Sequence, residues 1–146
     1  MSLQENINKL ILESTKSREK ERTEVFKAIK NEFLIFKTAK DAKPLTEEAE
    51  INILIKMVKQ REDSAKQFEE GGRNELAEKE RLEISILKEF LPKEVTKEDI
   101  EKKFQELFGE TIEQKQMGLA IKSLKSQLLG ADGALIATVV KERIHD

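Results

Sequence analysis

The chain has 146 residues, 38% of them apolar and 38% charged, with no cysteine, tryptophan or tyrosine. That length and apolar share suffice for one domain, or a compact domain with a small appendage, built on a helical core. The missing cysteine excludes a disulfide framework and any thiolate nucleophile or metal site, and a formal net charge of −2, spread evenly on either side of Pro92, is too acidic for a general polyanion binder.

The start, "MSLQENINKL", lacks a basic region leading into an apolar one, and the longest largely apolar stretch, Ala134 to Val140, falls far short of the roughly 20 residues that a membrane span needs. The chain therefore reads as neither secreted nor membrane-spanning. A cytoplasmic location is expected.

Ser2 with Glu5 reads as a capping box opening a first helix whose apolar stripe is Leu3, Ile7, Leu10 and Ile11. A second helix is predicted from about Arg18 to Lys40, with Val25, Phe26, Ile29, Phe33 and Phe36 on one face. "DAKPLT" ends it, and Thr46 caps a third helix reaching Glu70, with Ile51, Leu54, Ile55, Val58, Ala65 and Phe68 as its apolar side. The two long helices are expected to pair antiparallel. Gly71 is expected to take the left-handed conformation that closes a helix, with Gly72 freeing the chain to reverse, or Gly72 to take it instead, and Asn74 is expected to cap the fourth helix. Pro92 disfavours helical geometry at Leu91 and marks a boundary, dividing an N-terminal hairpin domain over 1–92 from a C-terminal three-helix domain over 93–146.

In that second part Thr96 with Asp99 reads as a capping box, with Val95 stapling onto Ile100 ahead of Phe104 and Phe108. Thr111 with Gln114 repeats the device before Met117, Ile121, Leu124 and Leu128, and Asp132 caps a last helix over 135–144. Strand-like alternation is absent. The expected class is all-α.

Some charges fall on apolar faces. Stepped at about 100° per residue, Arg22 lies among Val25, Ile29 and Phe33, Arg61 between Leu54 and Phe68, and Glu80 between Leu76, Ile84 and Leu87. Folding the helices about their turns brings Arg61 level with Glu80 and Glu83, and Arg22 to a similar height. One partly buried ionic cluster of Arg22, Arg61, Glu80 and Glu83 is expected, setting helix register, since burying such charges singly costs several kcal/mol. Arg73 reads first as relief for Glu69 and Glu70, whose negative charge opposes the macrodipole at a helix C-terminus.

Lys115, Gly118, Lys122 and Lys125 form one stripe beside the apolar face of the sixth helix, and no acid occurs between Gln114 and Ala131. A solvated face explains such a stripe, and so does a phosphate-facing surface on which Gly118 admits a close backbone. No catalytic, metal or cofactor motif accompanies it. The only histidine, His145, has no HxxH partner, there is no P-loop, GxGxxG or Ser/His/Asp arrangement, and the seven phenylalanines take core spacings.

"KQREDSAKQFEEGGRNELAEKERLEISILKEFLP", followed by "QMG" and "GADG", resembles the YqeY family, small proteins similar to the tail domain of the B subunit of glutamyl/aspartyl-tRNA amidotransferase. The motif falls on Lys59, Gln60, Arg61, Ser64, Phe68, Gly72, Arg73, Leu76, Glu80, Glu83, Leu91 and Pro92, then on Met117, Gly118, Ala131, Asp132 and Gly133. The resemblance covers nearly the whole chain. It implies a GatB/YqeY-like all-α protein with a helical hairpin and a small three-helix domain, related to tails that contact tRNA. The chain departs from the family pattern at Gly130 and Leu119, where a basic residue is usual, and at Lys122, where a glycine is usual.

The function that follows is a non-catalytic tRNA-associated accessory module. Its contact residues are expected at Lys115, Gly118, Lys122 and Lys125, and failing those at Lys59, Arg73 and Lys79 on the hairpin. The alternatives are a component linked to carbon-nitrogen ligase activity with glutamine as amide donor, partnering amidotransferase subunits, and a helical protein-interaction module. No cofactor and no membrane enter any of these readings.

Overall fold

Helical periodicity governs almost every segment of the computed structural model, which describes residues 2–145. Seven α-helices occur among these residues: α1 (Leu3–Lys16), α2 (Lys20–Thr38), α3 (Glu47–Glu70), α4 (Asn74–Lys88), α5 (Lys97–Phe108), α6 (Met117–Gln127) and α7 (Gly133–Glu142). The protein is all-α, and the chain divides into two compact units between Leu91 and Pro92.

In the first unit, α1 packs on α2 and α3 packs on α4, each pair an antiparallel hairpin closed by a three-residue turn. α2 and α3, expected to be direct partners, touch only lightly, and α2 instead lies on α4. Connection length explains the difference. Turns of three residues force sequential helices side by side, whereas 39–46 is long enough to carry the chain to another position. The core holds Ile7 of α1, Val25, Phe26, Ile29 and Phe33 of α2, Leu54, Met57 and Val58 of α3, and Ile84, Ile86 and Leu87 of α4. Phe36, Ile55 and Phe68 are only half-buried, and Met57, absent from the expected apolar side, is 2% exposed.

The helix ends depart from the sequence reading where tertiary neighbours intervene. The Ser2–Glu5 box does not form, since Ser2 makes no side-chain cap bond. A carboxylate from α3 takes that place: Glu50, 3% exposed, accepts a hydrogen bond from the Gln4 N–H at 3.1 Å. α2 starts at Lys20 rather than Arg18, because Arg18 adopts a left-handed conformation with φ 58°. Thr46 caps α3 as expected, its hydroxyl accepting from Ala49 N at 3.1 Å.

α3 ends in a Schellman arrangement. The left-handed residue is Gly72, with φ 76°, and not Gly71, whose φ is −85°; the Gly72 N–H donates to Glu69 O at 3.0 Å, and the Arg73 N–H donates to Phe68 O at 2.7 Å. Asn74 is the first helical residue of α4 and not its cap, because the reversal is complete one residue earlier, at Arg73.

The second unit packs α5, α6 and α7 around Ile100, Phe104, Ala120, Leu124, Ile136, Val139 and Val140. Both parts of the Thr96–Asp99 capping box are present, and Asp132 caps α7 by accepting from Ala134 N at 2.9 Å. The box expected at Thr111 and Gln114 lies instead at Glu113 and Gln116, bounding a 3-10 turn over Gln114–Gln116. Two short strands, β1 (Ile112–Glu113) and β2 (Ile144–His145), pair in parallel with Ile112 opposite Ile144. That pairing ends α7 at Glu142, short of the expected Ile144. A two-residue strand has no alternation to detect.

Candidate nucleic-acid interface

The basic face of the second unit is built on α6. Gly118, Lys122 and Lys125 stand at i, i+4 and i+7, which places them on one side of the helix. Lys122 and Lys125 are exposed, and neither has an ion pair among the described residues. A Cβ added to Gly118 meets nothing within 4 Å, so no intramolecular contact requires glycine there. The Lys125 side chain runs across the first turn of α7, where a Cβ on Gly133 would stand 3.4 Å from its Cε and 3.6 Å from its Nζ. Lys115 lies just ahead of this helix. It sits in the 3-10 turn before α6, and its ammonium pairs with Glu113 at 3.2 Å. Glu113 lies one residue before the acid-free stretch from Gln114 to Ala131, close enough to reach the ammonium.

Leu119, next to Gly118, is 61% exposed. No acid flanks it on α6.

The hairpin residues are placed differently. Lys59 and Arg73 are exposed, and Lys79 reaches Glu24 of α2 at 3.9 Å. Glu69, whose charge Arg73 was expected to relieve, pairs with Arg81 of α4. Arg81 lies on the facing helix and reaches Glu69 directly, while the Arg73 backbone closes the turn.

Arg61 of α3 and Glu83 of α4 approach to 3.6 Å, with 18% and 14% of their side chains exposed. The Arg61 Nη1 donates to Met57 O at 3.3 Å, while its buried Nε has no hydrogen-bond partner. Burial pushes the Glu83 carboxyl above the usual glutamate range, the Arg61 charge opposes that rise, and Glu80 adds to it. Arg22 stands apart from this pair. It donates to both oxygens of Glu89, at 2.7 and 3.1 Å, and lies over the Phe26 ring at 5.3 Å. Phe26 in turn meets Phe90 edge-on at 5.6 Å. The expected four-residue cluster is thus two separate contacts, because α2 crosses α4 near its C-terminal end and so hands Arg22 to Glu89.

Glu50, Arg81 and Glu89 are the charged partners that sequence reasoning missed. Arg22 and Glu89 are 67 residues apart, and no periodicity connects them. Among the described residues there is no group of three or more His, Cys, Asp or Glu placed to hold a metal ion, and no helix is long and apolar enough to cross a membrane.

Comparison with known proteins adds a family and a relative. Residues 4–144 match the family described as Yqey-like protein. An uncharacterized protein of Schizosaccharomyces pombe is 37% identical over 92 residues, which is 62% of this chain and 73% of the relative.

Proposed function

The chain belongs to the Yqey-like protein family, and on that premise we propose that it is a non-catalytic accessory module that binds tRNA through its C-terminal unit. The observation that carries this reading is the α6 face, where Lys122 and Lys125 have no acid to neutralise them and Gly118 leaves open space beside them. Two lysines one helical turn apart, about 4.5 Å along the axis between their backbones, offer two cations to neighbouring phosphates, and a glycine at the same face lets a sugar-phosphate chain lie close. The module acts in the cytoplasm. Its assembly with amidotransferase subunits is the protein-level counterpart of this reading.

The test is binding of total tRNA across a salt series, with the wild-type chain beside Lys122→Glu/Lys125→Glu. Each phosphate contact contributes roughly 0.9 to the log-log salt slope on duplex, so the variant is expected to bind more weakly and with a slope lower by one or two. A folded double variant that binds as tightly as wild type sinks the site. A second reading, a protein-interaction module, is favoured by one observation, the exposed Leu119. Wild-type protein that ignores tRNA at low salt but captures amidotransferase subunits supports that reading instead.

A further inference from the structure

The first unit carries a longer basic surface than any the sequence singled out, and it runs along α2. Lys20, Lys27, Lys30 and Lys37 are spaced by seven, three and seven residues, so at about 100° per residue they share a sector of roughly 100° that begins beside the buried Phe26 and Phe33 and runs away from Val25, Ile29 and Phe36. All four are exposed, and none has an ion pair among the described residues. Of the acids of α2, one stands beside the lysines and two do not. Glu21 and Glu32 lie on the other flank, and Glu24 is held by Lys79 at 3.9 Å. From Lys20 to Lys37 the run is about 25 Å long at 1.5 Å per residue. Leu34, 56% exposed, sits within it.

At its lower end the run opens into a concavity of about 410 Å³ lined by Arg18, Lys20, Thr23 and Lys27, with Ser14 and Thr15 of α1 on the opposite wall. Two acids also border it, and both are engaged: Glu24 with Lys79, and Glu19 with the Arg22 Nε at 3.7 Å. Arg18 sits there in a left-handed conformation, φ 58°, which a non-glycine residue adopts at some cost. The surface therefore concentrates five cations, in a unit that is close to neutral as a whole.

We propose that this α2 surface, from the Arg18 concavity to Lys37, is a second binding site for an RNA sugar-phosphate backbone, one that the N-terminal unit contributes independently of α6. A predominantly basic run of about 25 Å matches a polyphosphate better than a compact anion, since duplex carries one charge per about 1.7 Å of axis. The exposed leucine among the lysines does not oppose a sugar face. The proposal rests on the tRNA reading above and extends it to a surface that reading does not use.

The experiment titrates total tRNA over a salt series with the full chain and three variants: Lys20→Gln/Lys27→Gln/Lys30→Gln/Lys37→Gln, Lys122→Glu/Lys125→Glu, and Glu21→Gln/Glu32→Gln as a control on the opposite flank. Circular dichroism checks that each is folded. The expected result is that the α2 quadruple variant loses at least tenfold in affinity at low salt and two or more from the salt slope, while the flank control changes neither. An unchanged slope in the quadruple variant overturns the proposal, and if the α6 variant still weakens binding the tRNA reading survives without it. Loss in the quadruple variant alone upholds the α2 site and removes α6. Wild type that fails to bind tRNA, or that prefers vesicles of anionic lipid to tRNA, overturns both.

Discussion

Arg61 and Glu83 meet at 3.6 Å across the α3–α4 hairpin with less than a fifth of either side chain exposed. At that exposure the pair lies between a surface ion pair, worth little, and a fully buried one, whose disruption is costly because a charge is left alone. Its geometry also ties two helices together at a fixed height. An arginine with one guanidinium nitrogen lacking a hydrogen bond is held there by packing and charge together.

Arg61→Ala is expected to lower stability by about 3 kcal/mol, because Glu83 is left buried beside Glu80 and the guanidinium stem no longer fills its space. Urea unfolding measures this. A loss no larger than that of an exposed arginine, such as Arg73→Ala, would show that the pair contributes nothing to the hairpin.

Glu83 also gives the hairpin a pH dependence of defined sign. Burial raises its folded-state pKa above the unfolded value, so the folded protein holds a proton there more tightly than the unfolded chain. The stabilisation associated with the protonated form is complete below the unfolded pKa and is lost as pH rises through the folded one. Wild type minus Glu83→Gln is therefore expected to show a Tm difference that shifts in favour of wild type as pH falls from 7 towards 4.5. A difference that stays flat over that range contradicts the assignment.

Two glycines should respond to alanine with opposite signs. Gly72 has φ 76°, a conformation that a Cβ disfavours by about 1 kcal/mol, and Gly72→Ala is expected to destabilise by about that amount. Gly118 lies within α6 with nothing near a Cβ, so Gly118→Ala is expected to stabilise by up to about 1 kcal/mol. The same substitution should weaken tRNA binding if a backbone lies against that face. Thermal melts read the first two effects and a gel shift the third. Stabilisation with no change in binding would leave the glycine without a role at the interface.

Glu50→Ala removes the carboxylate that receives the Gln4 N–H. With Ser2 making no cap bond in its place, the first turn of α1 is expected to fray, at a cost of about 1 to 2 kcal/mol. Hydrogen exchange at the amides of residues 4–7 reports it directly. Protection equal to wild type would mean that another group caps the helix.

The purified chain is expected to produce no glutamate from glutamine and to hydrolyse no ATP, since neither a nucleophile paired with a base nor a phosphate-binding loop is recognisable in its sequence. A glutaminase signal that persists through repurification and disappears with one point substitution would reverse this.

Local rules were enough wherever the answer lay within a few residues. The turn at Gly72, the caps at Thr46, Thr96 and Asp132, the break before Pro92 and the apolar faces of α2 and α6 could all be read in order along the chain. Each depends on a periodicity of 3.6 residues, on a side chain bonding a backbone group two or three positions away, or on the backbone freedom of glycine and the restriction imposed by proline. The α6 lysines were legible for the same reason, and so in principle was the α2 stripe, whose lysines obey the same spacing but adjoin the phenylalanines that mark the core face.

What the chain could not disclose in order is which distant residues meet. Glu50 replaces Ser2 at the start of α1, Glu89 takes Arg22, Arg81 takes Glu69, and Ile112 finds Ile144. Every one of these pairs joins separate elements, so its existence depends on crossing angles and loop reach rather than on local propensity. Lys115 shows the same limit at short range, for in the 3-10 turn its ammonium pairs with Glu113 at 3.2 Å. The helices and their faces follow from the spacing of residues along the chain. The partners of the charges were decided by tertiary packing, because an ion pair is selected by distance in space, on which sequence separation places almost no constraint.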